Sequence, residues 1–385
     1  MRITDMNSWA VVRFLAAVGK IIGYHLPCRN VSSKFFFFPF LHVGGAEKVH
    51  ADIVNCVADS KPWVFFTKRS VNSKFRKLYS PNIRLFNFWA LLKYAYPLSV
   101  GIMAGLINRH KKPVVFGSNS LFFYLMLPHL RPDVLKIDLL HAFGGGAEHF
   151  SLPIVDRLDF RVVINDGVLA ELNSQYTSHG LAPSLLARVV LIENMVQLPE
   201  RPPKKGDVPR LRVLYVGRSG VEKRVHLVGR TARQCREESL SAEFVLVGDL
   251  KTSVEATDHE SCLFMGEVSD LDELSRIYDE ADVLLLTSSR EGFPLVVMEA
   301  MAHGVVPICT RVGGIPRHVL QGNNGFLVKN GEEEKIVGDM VTILRTLSED
   351  RVLLGNLSRA AFDHASAAFG PKKFCSAYRN LLQNR

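Results

Sequence analysis

The chain has 385 residues, 47% of them hydrophobic and 22% charged, with a formal net charge of +9 at pH 7. Such a length supplies more than one hydrophobic core and predicts two or three domains. The composition is that of a globular α/β protein and excludes a disordered or collagen-like chain. The six cysteines (Cys28, Cys56, Cys235, Cys262, Cys309 and Cys375) are scattered, with no CxxC pair. They predict small buried thiols in a reducing compartment, and neither a disulfide framework nor a zinc site. The charge is uneven. Residues 1–205 carry 25 Lys and Arg against 13 Asp and Glu, net +12; the remaining 180 carry 22 against 25, net −3. A basic half either is a solvated surface or faces an anion such as a lipid headgroup or a lipid-diphosphate acceptor. Nucleic acid is not expected, because no binding motif accompanies the charge.

Residues 1–34 precede the first strand. No segment reaches 18 uninterrupted apolar residues, so no membrane span is expected. The stretch from Trp9 to Ile22 comes closest. Arg13 and Lys20, seven apart, share one helical face, and Val11, Phe14, Leu15, Val18, Ile21 and Ile22 fall on the other. An amphipathic helix of this kind either lies in a bilayer surface or packs on the domain that follows. The charges inside the apolar run argue against a signal peptide.

Residues 35–38 with Phe40 read as the first buried strand, running into His42-Val43-Gly44-Gly45-Ala46-Glu47-Lys48. Strand, glycine pair and helix start make a turn that can approach a phosphate. Residues 61–67 are a second strand. Six basic residues follow within 68–84: Lys68, Arg69, Lys74, Arg76, Lys77 and Arg84. Residues 86–108 are apolar and aromatic, with a kink expected at Pro97; a helix pair there fits either core packing or contact with an acceptor or membrane. Further strands are predicted at 114–117, 135–140, 161–164 and 189–192, with a helix at 121–127. Three of these strands end at His141, at Asn165-Asp166 and at Asn194, where doubly wound sheets bind ligands. Residues 197–210 are proline-rich and charged and read as a linker. A second alternation follows, with strands at 211–216, 244–247, 263–265, 282–286, 305–309 and 325–328. Alternation of strand and helix throughout predicts parallel doubly wound sheets.

The stretch Thr287 to Gly314 carries the chemistry. Gly292 permits close backbone approach, and Pro294 suits the first position of a helix. The amides of Leu295, Val296 and Val297 would then be unpaired donors at a positive helix end, a ready anion site. Glu291 stands just before that end and Glu299 eight residues later, about 12 Å along a helix. Two carboxylates so far apart suit opposite ends of one long ligand with an anion between them. Gly217-Arg218 at a strand end and Lys223 at the next helix start can neutralise such an anion without a metal. Asp270-Leu271-Asp272 is formally a DxD metal motif, but Ser269, three before Asp272, reads as a capping box opening a helix over 270–281.

Glu291-Gly-Phe-Pro-Leu-Val-Val-Met-Glu299 resembles the E-x7-E motif of retaining glycosyltransferases of the GT-B fold, family 4, and Gly313-Gly314-Ile315-Pro316 and Asn324-Gly325-Phe326-Leu327-Val328 follow as they do there. The likeness covers roughly residues 35 to 370 and is strongest in the second half. It implies two Rossmann-like α/β domains facing a cleft: an N-terminal acceptor-side domain over 1–196, a linker over 197–210, a nucleotide-sugar domain over 211–371, and a helix over 372–385 that crosses back. The family pattern gives Glu291, Gly292, Phe293, Pro294, Leu295 and Val296 to the donor sugar and phosphates. It gives Glu299 to the ribose and backbone atoms at Val268 to the base. Gly217, Arg218 and Lys223 go to the diphosphate, the loop with Gly44 and Gly45 lies beside it, and His141 stands near the sugar. Arg317 stands where the family often has Glu, so no role is carried over to it; His303 and His318 read as structural. The implied activity is transfer from a nucleoside-diphosphate sugar, UDP first among the candidates, to a glycan or lipid-linked acceptor in cell-surface polysaccharide synthesis. It needs neither metal nor cofactor and takes place in the cytoplasm, at an anionic membrane face. The rivals are a GT-B epimerase or hydrolase and a catalytically silent binding subunit.

Overall fold

The computed structural model describes residues 10–27, 32–42, 44–144, 146–199 and 210–383. The chain divides into two compact units, Met1–Asn194 with Lys372–Arg385, and Met195–Pro371. Trp9, Cys28, Val43, Gly145 and most of the expected linker lie outside the described residues.

The first unit is a seven-stranded parallel sheet in the order β3-β2-β1-β4-β5-β6-β7. Its strands are β1 (Lys34–Phe38), β2 (Trp63–Phe66), β3 (Arg84–Asn87), β4 (Val114–Ser118), β5 (Leu135–Leu140), β6 (Phe160–Val163) and β7 (Val189–Leu191). The run of four phenylalanines in β1 follows from burial on both faces of a parallel sheet. Phe37 stacks on Phe65 on one side, and Phe38 stacks on His50 on the other. The edge strand β3 was not foreseen. It is four residues long, only half-buried, and held by Phe86 stacking on Phe65.

The Ala10–His25 helix packs on the Trp89–Asn108 helix through small residues. A Cβ at Gly19 or Gly23 would strike the backbone at Leu98 or Ile102, and one at Gly101 or Gly105 the backbone at Ala16 or Lys20. Ala16 beside Gly101 and Lys20 beside Gly105 advance together, so the helices run parallel. The expected amphipathic face is turned away from this contact: Val11, Phe14, Ile21 and Ile22 are 68%, 68%, 66% and 42% exposed. Packing and an uncovered apolar face coexist on one helix. The longer helix is kinked, with Ala95 out of helical geometry two residues before Pro97. No helix among the described residues is long and apolar enough to cross a membrane.

The cysteine expectation needs correction. Cys56 and Cys375, 319 residues apart, form a disulfide. The Pro371–Leu381 helix belongs to the first unit from Lys372 onward; it buries Phe374, Tyr378 and Leu381 and donates from Arg379 Nε to the Cys56 carbonyl at 2.7 Å. The helix that returns from the far end of the chain thus brings one cysteine onto another with no local spacing to announce it. Cys235 and Cys309 are buried thiols, as expected.

The second unit is a six-stranded parallel sheet in the order β10-β9-β8-β11-β12-β13. The strands are β8 (Leu211–Val216), β9 (Ala242–Val247), β10 (Cys262–Gly266), β11 (Val283–Leu286), β12 (Val306–Thr310) and β13 (Phe326–Val328). In both sheets the strand order reverses beside the first strand of the unit. Open α/β sheets bind ligands at the carboxyl ends of strands next to such a switch point.

Candidate active site

In the second unit the switch point lies between β8 and β11. Three glycines close the ends of β8, β9 and β10. Gly248, at φ +133°, lies so close to the Gly217 carbonyl that a Cβ would overlap it, and its N–H donates to the Gly266 carbonyl at 2.8 Å. After β8 the chain makes a short turn, Val221–Lys223, and enters the Val225–Glu237 helix through Arg224 in a left-handed conformation, φ 48°. A non-glycine residue holds that geometry when its surroundings over-determine it, and here they do. Arg224 donates to the carbonyls of Thr287 and Ser288 and to Asn330 Oδ1, and the Thr287 hydroxyl donates to the carbonyls of Lys223 and Arg224. Two loops 60 or more residues apart become one frame. The sequence marked Lys223 and passed over Arg224, whose role is visible only through these long-range partners.

The frame sets Lys223 against Glu291. Lys223 Nζ donates to Glu291 Oε1 at 2.5 Å, and the Ser288 hydroxyl donates to the same oxygen at 2.7 Å. The two side chains are 17% and 9% exposed, so the pair is shielded from solvent screening. Both donors converge on Oε1. Arg218, by contrast, is 80% exposed and reaches only Glu222, at 3.3 Å. The Gly313–Gly314 turn backs the 291–292 segment: Gly314 N–H donates to the Gly292 carbonyl at 2.6 Å, and Gly313, at φ +53°, would overlap the Glu291 carbonyl if it carried a Cβ.

The helix after Glu291 runs Leu295–Ala302, with Pro294 as an extended cap rather than its first residue. Val297 N–H is taken by the Pro294 carbonyl at 3.1 Å, which corrects the expected three donors. Leu295 and Val296, at the first two helical positions, have no intrahelical acceptor. Phe293 is buried against His318 and Phe369, with ring centroids at 4.5 and 5.5 Å, so its backbone is what it can offer a ligand. Glu299 accepts from the Tyr278 hydroxyl at 3.1 Å; burial, then the Glu299 charge, holds that phenol well above its usual range. Val268 lies half-buried just beyond β10. Asp270 caps the Leu271–Glu280 helix, accepting from the amides of Asp272 and Glu273 at 2.9 and 3.1 Å. The cap is Asp270 itself, where Ser269 was expected. His303 bonds Asp279 at 2.7 Å, and Arg317 is exposed. Among the described residues no three His, Cys, Asp or Glu side chains are grouped to hold a metal ion.

In the first unit, Gly44 precedes the Gly45–Asn55 helix, and that helix carries His50 to His141 just beyond the end of β5. The two imidazoles meet Nε2 to Nε2 at 2.9 Å. His50 was not foreseen, since 91 residues separate it from His141. One Nε2 must donate and the other accept, so the accepting ring is neutral with its proton on Nδ1, and the two rings cannot both be protonated. Burial lowers the His141 pKa to about 4, and burial with the neighbouring His141 lowers His50 well below the usual value. The folded chain therefore binds fewer protons than the unfolded chain once the pH drops below about 6.5. The stability these rings contribute is complete above that pH and is lost toward pH 4, by up to about 1.4 kcal/mol per pH unit for each group. Denaturant midpoints measured from pH 7 to 4.5 should show the fall, and His50→Leu should flatten it. An unchanged slope in that variant would contradict the pairing.

The likeness to a known family lies in the second unit. Residues 210–346 match the family model described as "Glycosyl transferases group 1". The chain is 34% identical over 160 residues to the sulfoquinovosyl transferase SQD2 of Arabidopsis thaliana, covering 40% of this chain and 30% of that one. It is 31% identical over 149 residues to the N-acetyl-alpha-D-glucosaminyl L-malate synthase of Bacillus anthracis, covering 37% of each. With the putative colanic acid biosynthesis glycosyltransferase WcaL of Salmonella typhimurium it shares 27% identity over 218 residues, 54% of this chain and 53% of that one. The chain thus spans about a third to a half of the length of these relatives. Among solved structures, Anabaena Alr3699/HepE in complex with UDP and glucose superposes with a TM-score of 0.69 at 18% identity, over 91% of this chain and all of that one. The lipopolysaccharide outer core galactosyltransferase WaaB gives 0.62 at 20% identity, over 91% and 99%. The fold is GT-B: two parallel-sheet α/β domains.

Proposed function

We propose that the chain is a retaining glycosyltransferase of family 4 that moves a sugar from a nucleoside diphosphate, UDP first among the candidates, to a glycan or lipid-linked acceptor in cell-surface polysaccharide synthesis. The observation that carries this reading is the shielded Lys223–Glu291 pair, four residues before the Leu295–Ala302 helix that carries Glu299. A donor diphosphate would take Lys223, the exposed Arg218 and the amides of Leu295 and Val296, which stabilise charge as the sugar–phosphate bond breaks. Glu291 would keep Ser288 as a donor and turn Oε2 toward the sugar. Glu299 would hold the ribose hydroxyls, and the backbone at Val268 the base. By the family pattern the Gly44–Gly45 turn would serve the diphosphate and His141, held neutral by burial, the sugar. No side chain is placed as a nucleophile; same-face attack, with the departing diphosphate taking the acceptor proton, needs none. The exposed apolar ridge of the Ala10–His25 helix, on the basic half of the chain, supports work at an anionic membrane surface.

The test is a thermal-shift series with UDP-, GDP- and ADP-sugars, repeated in EDTA. A ligand at 100 times its dissociation constant stabilises by about 2.7 kcal/mol, so one sugar nucleotide should raise the midpoint by several degrees, undiminished by EDTA. A shift that vanishes in EDTA and returns with Mn²⁺ would reject metal independence, and no shift with any donor would reject the reading. Donor breakdown with no need of an acceptor would favour the hydrolase or epimerase instead.

A further inference from the structure

A cavity of about 410 Å³ opens in the first unit between the loop after β2, the Trp89–Asn108 helix and the Leu121–Met126 helix. Its size is that of a small-molecule site, whereas packed cores leave few voids larger than a water molecule. Its lining has a polarity gradient. Lys68, Arg69 and Lys93 are exposed at the rim, and Phe122 and Leu125 are buried at its base, with Trp89 along the wall. No carboxylate lines it. Lys68 lies over the Phe40 ring at 5.4 Å and Arg69 over the Trp89 ring at 5.7 Å, so aromatic faces hold the two cations at the mouth. The Thr67 hydroxyl on the wall is committed to the Phe38 carbonyl and to Ser120. Leu121, on the lining, is 42% exposed.

We infer that this cavity binds an amphiphile with a phosphate head and a hydrocarbon tail, the head among Lys68, Arg69 and Lys93 and the tail against Phe122 and Leu125. Lys68 and Arg69, each held over an aromatic face, select the anion. The apolar base of Phe122 and Leu125 selects the chain. The inference rests on the proposed transferase reading only in calling this amphiphile the lipid end of the acceptor; the binding itself does not depend on it.

Calorimetric titration of the full chain with butyl, hexyl and octyl phosphate below their micellar concentrations tests the idea, with inorganic phosphate and octyl glucoside as single-feature probes. Each buried methylene should tighten binding about fourfold. Octyl glucoside and inorganic phosphate should each bind at least about tenfold more weakly than octyl phosphate, since each lacks one half of the recognition. The double charge reversal Lys68→Glu/Arg69→Glu, on exposed side chains, should weaken octyl phosphate by at least about tenfold. Leu125→Trp should fill the base and abolish the chain-length dependence. Affinity independent of chain length, or octyl phosphate binding that survives Leu125→Trp in a chain whose thermal midpoint is unchanged, would put the amphiphile on the exposed helix ridge and overturn the inference. UDP titrated in parallel separates the two readings: UDP binding without octyl phosphate binding sinks the cavity alone, and the reverse leaves the cavity standing and sinks the donor site.

Discussion

Glu291→Gln is expected to lower turnover about 100-fold, the effect of removing one preorganised electrostatic contact at a reacting centre, with little change in the Michaelis constant for the donor. Glu299→Gln should do the opposite. A carboxylate that holds the ribose interacts alike in ground and transition states, so its loss weakens donor binding by about 1–3 kcal/mol and leaves turnover nearly intact. The structure adds a second signature for Glu291. Lys223, 17% exposed, donates to its Oε1, so the neutral amide leaves a shielded ammonium without its counter-charge, and stability should also fall by about 1–3 kcal/mol. Glu299 is paired with the neutral Tyr278 hydroxyl, which an amide oxygen still satisfies, so its variant should denature close to wild type. Steady-state kinetics in varied donor, below both melting midpoints, decide the roles. The same kinetic pattern in both variants, or UDP binding unchanged in Glu299→Gln, would show the assignment to be wrong.

Asp138→Ala should destabilise the first unit by about 3–5 kcal/mol, the cost of removing one partner from a buried ion pair. Asp138 and Arg161 face each other across β5 and β6, with side chains 0% and 2% exposed and a closest approach of 2.8 Å. The pair is fully committed. The Tyr124 hydroxyl donates to Asp138 Oδ1 at 2.9 Å, and Arg161 donates to the Tyr176 hydroxyl at 3.1 Å and to the Ser151 hydroxyl. These strands lead to His141 and Asn165, so the network also holds the strand ends that carry those two residues. Alanine would leave a guanidinium in an apolar interior. The double replacement Asp138→Leu/Arg161→Met removes both charges and should cost less than the single one. Urea unfolding followed at Trp63 in β2 reads the first unit; because the chain has two units, each transition needs separate analysis. A loss below about 1 kcal/mol for Asp138→Ala would show that water reaches the pair.

The sheets were legible because parallel strands buried on both faces read as unbroken apolar runs, and most predicted strands fall within a residue or two of those observed, from Phe35–Phe38 in β1 to the run at β11. Such strands declare themselves through their own side chains. So does Asp270 within a residue, since a helix cap is a contact between near neighbours. The edge strand β3 does not: Arg84 and Asn87 are exposed, and it is held by backbone pairing with β2 and by Phe86 against Trp63 and Phe65, partners 21 or more residues away. The E-x7-E stretch could be marked in the sequence with Lys223, Arg218 and His141, because loop chemistry at strand ends is written locally. What Lys223 touches could not, because its partner Glu291 stands 68 residues on and Arg224 in a left-handed turn brings the two loops together. His50 against His141, Asp138 against Arg161 and Cys56 bonded to Cys375 are of the same kind. A residue's own chemistry and that of its near neighbours decide helix, strand, turn and the type of reactive group. Only folding decides which groups from distant segments share a dielectric and a hydrogen bond, and those contacts set which carboxylate is paired, which histidine stays neutral and which thiol is oxidised.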